Sequence, residues 1–369
     1  MNSSVSALQL SLVPSIELAQ NLSQPTQRRT RPLPTPAVLR QRLPLNALQA
    51  EQVQTQRQAI RNILDGHDPR LLVVVGPCSI HDADAALDYA RRLAELAPQV
   101  KDQMLLVMRA YIEKPRTTVG WKGLVYDPQL DGSGDMAAGL ELSRRLMLQM
   151  IDLGLPLASE LLQPLVASYV DDLLGWAAIG ARTSESQIHR ELVSGLDMAV
   201  GFKNGTDGSM GIAIDAMRSA AHPHQHFGMD DLGRPALVDT AGNPDTHLVL
   251  RGGNQGPNFD AASVAAAKVA LSKAGIQPGI MVDCSHANSG KDPLRQPAVL
   301  EDVINQRLAG DGSLRAVMLE SHLFDGSQSL SDELQYGVSI TDGCLGWEGT
   351  ERLLLDTAER LRPGTALLA

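Results

Sequence analysis

The sequence predicts an α/β chain that closes into a (β/α)8 TIM barrel, with an N-terminal extension and an inserted β-hairpin. Three observations carry that expectation. Short, fully apolar runs alternate with amphipathic stretches eight times from residue 71 onward. Strands that are apolar on both faces belong to parallel sheets covered by helices. Eight such units in roughly 290 residues match the length of a closed barrel. A doubly wound open sheet comes second, because no glycine-rich dinucleotide fingerprint follows the first strand.

Residues 1–45 are rich in Ser, Gln, Thr and Pro, with a short basic patch at Arg28, Arg29 and Arg31. This composition predicts an arm, either mobile or in contact with another subunit. Residues 46–369 are expected as the single barrel domain. Leu48, Val53, Ile60 and Ile63 share one helical face over 47–64, and Asp65-Gly66 ends that helix. The first strand, 71–75, leads into Gly76-Pro77-Cys78-Ser79 and a helix over 82–96. The second strand, 105–108, ends in Arg109, and a helix follows at 137–153. The third, 156–158, ends in Ser159-Glu160 before a helical stretch at 170–174. The fourth, 177–179, leads to Gly180-Ala181-Arg182. A helix over 184–196 opens with Ser184 and Gln187 at capping-box spacing.

The fifth strand, 199–202, runs into Lys203-Asn204-Gly205, and a helix covers 211–221. Turn signals at Leu232-Gly233 and Gly242-Asn243 make 222–244 an added β-hairpin. The sixth strand, 247–250, ends in Arg251-Gly252-Gly253 before a helix at 260–274. The seventh, 279–282, stops at Asp283-Cys284-Ser285-His286-Ala287-Asn288, where apolar residues give way to reactive ones at once. A helix at 297–308 leads to the eighth strand, 316–319, which ends in Glu320-Ser321-His322. A long loop carries Thr341-Asp342, and a helix at 346–361 closes the pattern.

Composition narrows the function. The chain of 369 residues is 43% hydrophobic and 20% charged, enough for a large core. No apolar run reaches about 18 residues, so no membrane span is expected. No basic segment followed by an apolar one opens the chain, so a secretory signal is not expected. Cys78, Cys284 and Cys344 are odd in number and far apart, which points to a reducing cytoplasm rather than a disulfide framework. The formal net charge of −10 argues against nucleic acid as a partner.

The strand ends carry the chemistry. Cys78, Arg109, Glu160, Arg182, Lys203, Arg251, His286 and Glu320 each close one strand, and in a barrel those ends converge on one face. Arg109, Arg182, Lys203 and Arg251 are cations, joined by Lys114 and Arg116 on the loop after the second strand, with Thr117 beside them. Crowded cations call for bound anions, and Arg forks suit phosphate and carboxylate oxygens. The substrates should therefore carry more than one such group. Cys78, His286, Glu320 and Asp342 form a second set, whose donors suit a divalent ion such as Mn, Fe, Co or Zn. A Cys–His pair for nucleophilic catalysis is the rival reading.

GPCSIHD at 76–82, MRAYIEKPRTTVGWKG at 108–123, GARTSES at 180–186 and GFKNGTDG at 201–208 resemble motifs of the 3-deoxy-D-arabino-heptulosonate 7-phosphate (DAHP) synthases. So do LRGG at 250–253, VDCSHANS at 282–289 and SITDGCLGWE at 339–348. The likeness is to the short, microbial, feedback-regulated type (class I) and runs from about residue 45 onward. It implies condensation of phosphoenolpyruvate with erythrose 4-phosphate, the first step of the shikimate route to aromatic amino acids. It implies Cys78, His286, Glu320 and Asp342 as metal ligands. Arg109, Lys114, Ala181, Arg182, Lys203 and Arg251 would bind phosphoenolpyruvate, with Glu160 nearby, and Arg116 and Thr117 the erythrose phosphate. Lys114, His286 and Cys78 are the expected catalytic residues. Lys114 would be a proton donor, its proton loosened by neighbouring cations; the same cations would help Cys78 deprotonate.

An aromatic amino acid is the expected inhibitor, bound near the hairpin, with Asp197, His226 and Gly228 as candidate contacts. Asp197 departs from the Ser of many relatives. Gly228 leans toward tyrosine, with tryptophan next. A homodimer or homotetramer is expected. The alternatives are an enzyme joining phosphoenolpyruvate to another phosphorylated sugar, or a silent barrel kept as a metabolite sensor.

Overall fold

Eight parallel strands close into a barrel in this chain, and the side chains that alternate along them decide what faces inward. The computed structural model describes residues 30–363. Arg28, Arg29 and the rest of 1–29, with 364–369, lie outside the described residues. The barrel strands are β1 (Leu71–Gly76), β2 (Met104–Arg109), β3 (Leu157–Glu160), β4 (Trp176–Ile179) and β5 (Ala199–Lys203), then β8 (Thr246–Leu250), β9 (Ile280–Asp283) and β10 (Leu314–Glu320). They pair in the order β1-β10-β9-β8-β5-β4-β3-β2, with β2 closing on β1. The (β/α)8 barrel expected from the strand pattern is the fold.

Alternation explains the two layers of core. On β1, Leu71, Val73 and Val75 pack outward under the helices, while Leu72 and Val74 point into the barrel. The interior is filled by Leu72, Val74, Val107, Ala158, Trp176, Ala178, Ala199, Val249, Met281, Ala316 and Met318. Helix α2 (Ala47–Asp65) adds Ile60 and Ile63 to this cluster, so it plugs the end where the strands begin. Asn46 and Gln49 form its capping box, and Gly66, at φ 82°, ends it. The opposite end is left for the polar strand ends.

The outer ring comprises α3 (Ala83–Val100), α4 (Met136–Asp152), α5 (Pro164–Val170), α6 (Gln187–Ser194), α7 (Gly211–Ala220), α8 (Ala261–Lys273), α9 (Gln296–Leu308) and α10 (Trp347–Leu361). Two elements differ from expectation. Helix α5 begins at Pro164, ahead of the helical stretch expected at 170–174, because Pro at the first helical turn gives up no hydrogen bond, and a 3-10 turn over Asp171–Leu173 fills most of the expected stretch. Helix α6 starts at Gln187 after Ser186. The Ser184 hydroxyl instead donates to the carbonyls of Gly180 (3.1 Å) and Lys203 (2.9 Å), tying the ends of β4 and β5 together.

The inserted hairpin is present as β6 (Gln225–Met229) and β7 (Pro235–Asp239), antiparallel, with His226 opposite Val238 and Gly228 opposite Ala236. Residues 30–33 carry neither helix nor strand. From Pro34 onward the chain is one unit. Its first helix, α1 (Pro36–Arg42), buries Leu39. The Tyr169 hydroxyl donates to the Pro34 carbonyl (2.7 Å), and Ala37 N donates to the carbonyl of Asp231 in the hairpin turn (2.9 Å). Among the described residues no helix is long and apolar enough to cross a membrane.

Candidate active site

One cavity of about 250 Å³ opens at the carboxyl ends of the strands. It is lined by Cys78, Arg109, Lys114, Arg116, Thr117, Glu160, Ala181, Arg182, Lys203, Arg251, His286, Glu320 and Asp342. Every residue singled out for metal or substrate therefore borders the same space. Register explains how the first pieces meet. Gly76 stands opposite Glu320, which carries Cys78 to the side of that carboxylate, and Met318 stands opposite Asp283.

The thiol of Cys78 and carboxylate oxygens of Glu320 and Asp342 all lie within 4.8 Å of one another. His286 is outside that group of three but lines the same cavity. Its Nδ1 is 2.9 Å from Asp283 Oδ2 and 2.7 Å from Ser285 Oγ, which leaves Nε2 as the nitrogen for a ligand. An imidazole oriented by a buried carboxylate through its other nitrogen is a common arrangement at metal centres. The donor chemistry fits a divalent transition ion. A cation of the protein already stands among these groups: Lys114 Nζ is 2.8 Å from Cys78 Sγ and 2.8 Å from Asp342 Oδ2.

Two expectations about protons are corrected here. Burial opposes the charge on Lys114, but Cys78, Glu320 and Asp342 outweigh it, so its pKa is raised and it holds its proton. The neighbouring cations do not loosen it. Burial, with the charge of Glu320, pushes the Cys78 thiol up to about 11, and the nearby cations do not offset this. Asp342 is depressed: burial opposes its charge, and Lys114 outweighs the burial.

Three of the cations are paired. Arg109 Nη2 is 3.1 Å from Glu320 Oε1, Lys114 pairs with Asp342, and Lys203 Nζ is 3.0 Å from Asp283 Oδ2. Arg109 also stacks over the Tyr111 ring at 3.9 Å, and its Nη1 is buried with no partner among the described residues. Arg116, Arg182, Arg251 and Lys291 line the cavity with no carboxylate partner among the described residues. Arg182 Nη2 donates to Thr117 Oγ1 at 3.1 Å. That surplus of positive charge suits polyanionic ligands. Glu160 is kept in the wall by Gly180, since a Cβ there would stand 2.5 Å from its Oε1.

Sequence reasoning missed Asp283 as a site residue. It is fully buried and accepts from Lys203, from the Ser285 hydroxyl (2.8 Å) and from the Ser285 amide (3.0 Å). Burial opposes its charge, but His286 and Lys203 hold its pKa well below the usual range. One buried carboxylate thus fixes both the Lys203 ammonium and the His286 imidazole. Strand alternation was the available signal, because Asp283 follows the inward Met281 by two residues. Lys291 was also missed, and its φ of 66° gave no sequence signal.

The inhibitor candidates lie on two elements, the segment before β5 and the hairpin, and the hairpin end meets the first through Thr240 Oγ1, 2.7 Å from Ser194 Oγ. Asp197 pairs with Arg61 (2.8 Å) and Arg57 (3.5 Å) on α2, whereas His226 and Gly228 pair within the hairpin.

Residues 47–355 match the profile of the DAHP synthetase I family. The Tyr-sensitive phospho-2-dehydro-3-deoxyheptonate aldolase of Escherichia coli K12 is 52% identical over 89% of this chain and 93% of its own. The Phe-sensitive enzyme of the same organism is 49% identical, covering 89% and 94%. The tyrosine-inhibited enzyme of Schizosaccharomyces pombe is 48% identical, covering 90% and 91%. Among solved structures, the phospho-2-dehydro-3-deoxyheptonate aldolase of Francisella tularensis SCHU S4 superposes with a TM-score of 0.89 at 43% identity, over 90% of this chain and 98% of that one. With these motifs on a closed barrel and their side chains around one cavity, the chain belongs to the DAHP synthetase I family.

Proposed function

We propose that this protein condenses phosphoenolpyruvate with D-erythrose 4-phosphate and water, giving 3-deoxy-D-arabino-heptulosonate 7-phosphate and phosphate. The observation that carries this reading is one cavity holding both a transition-metal donor set and a cation excess. Family membership supports the same reaction.

In this reading Cys78, His286, Glu320 and Asp342 would hold the metal. A divalent ion there would supply Lewis-acid polarisation of the aldehyde oxygen. Arg109, Lys203, Arg182 and Arg251 would grip the phosphate and carboxylate of phosphoenolpyruvate, with Glu160 and Ala181 in the wall. Arg116 and Thr117 would take the phosphate of the sugar. C3 of phosphoenolpyruvate then attacks the aldehyde carbon, and the aldehyde oxygen takes up a proton. Lys114 holds an ammonium proton beside Asp342 and is the candidate donor. Water adds to C2 and loses a proton, and the C2–O bond to phosphate breaks. Holding two anions in register removes orientational entropy from the barrier, worth up to about 7–11 kcal/mol in well-aligned systems.

The rival sugar-phosphate synthase is separated by turnover. Offered phosphoenolpyruvate and a panel of phosphorylated aldehydes, the metal-supplemented protein should consume the four-carbon sugar. Preference for a five-carbon aldose phosphate would move the assignment to a neighbouring reaction. Any turnover dismisses the silent barrel.

Regulation belongs to the same proposal. The Tyr- and Phe-sensitive names of the relatives support feedback by an aromatic amino acid, with tyrosine favoured through Gly228. Phe227 and Leu237 pair across the hairpin while 85% and 68% exposed. An apolar face of that kind suits a second subunit, which supports a homo-oligomer. Replacing the hairpin tip, 230–234, by a short turn should relieve inhibition by tyrosine, read from initial rates with and without it. Unchanged inhibition would place the inhibitor elsewhere. A cytoplasmic location fits three buried, unpaired cysteines.

A further inference from the structure

Glu113 is a carboxylate the mechanism above does not use. It is buried, 2% exposed, and stands one residue before Lys114. Its Oε1 accepts from the Tyr126 hydroxyl at 3.0 Å. Its Oε2 accepts from the backbone amides of Leu162 and Gln163, each at 3.3 Å. One side chain therefore bonds both flanks of the loop that carries Arg116 and Thr117 to the connection between β3 and α5. That connection also lines the cavity, through Leu162.

The loop is otherwise held mainly by itself. Lys114 N donates to the Lys122 carbonyl (2.8 Å) and Val125 N to that of Ile112 (3.3 Å), which close its neck. Arg116 Nε donates to the Trp121 carbonyl (2.8 Å) and the Trp121 ring nitrogen to that of Asp127 (2.9 Å). Gly123 allows the tight neck: its φ is 119°, and a Cβ would lie 2.4 Å from the Ile112 carbonyl oxygen. Residues 116–120, beyond the neck, are exposed. A stiff loop pinned near its base swings as a unit when the pin loosens.

We propose that Glu113 is a positioning residue for the sugar-phosphate half of the site, clamping the 114–122 loop onto the β3–α5 connection and so setting where Arg116 and Thr117 stand. The inference rests on the reading of Arg116 and Thr117 as ligands of erythrose 4-phosphate. The clamp is strongest as an anion, because an ionised acceptor bonds amides and a phenol more tightly than a neutral one. Burial pushes Glu113 up to about 7, against the lowering by its three donors. The groups that face it are the Tyr126 phenol on its own loop, the amides of Leu162 and Gln163, and the Glu160 carboxylate at the end of β3, which raises it further.

The variant to make is Glu113→Gln, isosteric and uncharged. At about pH 8.5 its KM for erythrose 4-phosphate should rise about tenfold, the scale of losing hydrogen bonds to a charged acceptor. Its KM for phosphoenolpyruvate and its kcat should stay within about twofold, since uniform loss of ground-state positioning falls on KM. Near about pH 5.5 the wild-type carboxyl is itself neutral, and the two KM values should converge. The substrate phosphate titrates near pH 6, so the comparison between the two enzymes is the readout. Folding should survive: a carboxyl raised in the folded state loses stability as pH rises through about 7, and glutamine removes that loss. Tyr126→Phe keeps the carboxylate and deletes one donor, so it should raise the same KM by about two- to threefold.

Arg116→Ala is measured alongside. If Arg116→Ala leaves the sugar-phosphate KM unchanged, the ligand assignment fails and takes the clamp with it. If Arg116→Ala raises that KM while Glu113→Gln does not, or while the Glu113→Gln offset is the same at both pH values, the clamp alone is overturned.

Discussion

Cys78→Ser is expected to lower bound metal and turnover together, each by at least about 100-fold, since changes one shell further out already cost about 10–100-fold. The thiol is 1% exposed and lies beside two carboxylates, so serine fits the space. What serine lacks is ligand strength, because a hydroxyl does not ionise as a thiol does when a transition ion binds. The chemistry argues against a nucleophile. Condensing an enol phosphate with an aldehyde benefits from absorbing charge at oxygen, not from a covalent step on sulfur. Chelation should abolish activity in the wild type, and Mn, Co or Fe should restore it. Elemental content measured beside initial rates decides the matter. Full metal with lost turnover, or a covalent adduct trapped on Cys78, would reinstate the nucleophile.

Arg182→Ala is expected to lower kcat/KM for phosphoenolpyruvate by about 10–150-fold, the range for one charged hydrogen bond of about 1.5–3 kcal/mol. Lys203→Met should cost turnover at least as much, but for a mixed reason. Lys203 is 3% exposed and bonds Asp283, which is fully buried. Breaking a buried pair costs about 3–5 kcal/mol of stability, because the remaining carboxylate keeps its desolvation penalty. Arg182 is exposed and makes its contact with Thr117 rather than a buried acid, so its loss leaves the fold alone. The two variants separate binding from folding: both should lose affinity, and only Lys203→Met should lose melting temperature. Wild-type kinetics in either would remove the assignment of the anion cradle.

Much of this site was legible because barrel strands alternate. On six strands an inward core residue is followed, two or four residues on, by a residue lining the cavity: Val107 by Arg109, Ala158 by Glu160, Ala199 by Lys203, Val249 by Arg251, Met318 by Glu320, and Val74 by Cys78. Apolar filling below and ionisable groups above are one pattern, read along each strand. The same rule points to Asp283 after Met281, yet the chain shows a carboxylate there without showing that it bridges Lys203 and His286. That bridge depends on Lys203 arriving from a strand 80 residues earlier. His286 breaks the alternation through a left-handed turn, at φ 54°, and only its neighbours in sequence marked it.

Charge states were less legible than positions. Sequence shows the cations around Lys114 and Cys78 but not the burial of the thiol or the spacing to Glu320 and Asp342. Those distances reverse both proton expectations. The helix start at Gln187 was missed because the Ser184 hydroxyl bonds strand-end carbonyls instead of capping, and that at Pro164 because its cap is Gln163, whose side chain accepts from Leu165 N. Glu113 sat inside one of the motifs, and only its three partners separate it from Lys114, Arg116 and Thr117, which line the cavity.

The central claim is that one cavity holds both anions and joins them. Its most direct measurement is phosphate released from phosphoenolpyruvate by metal-supplemented protein, with erythrose 4-phosphate withheld and then added. The account predicts no release until the aldehyde is present, then one phosphate per phosphoenolpyruvate consumed. Release without the aldehyde, or none with both substrates and metal supplied, would contradict it.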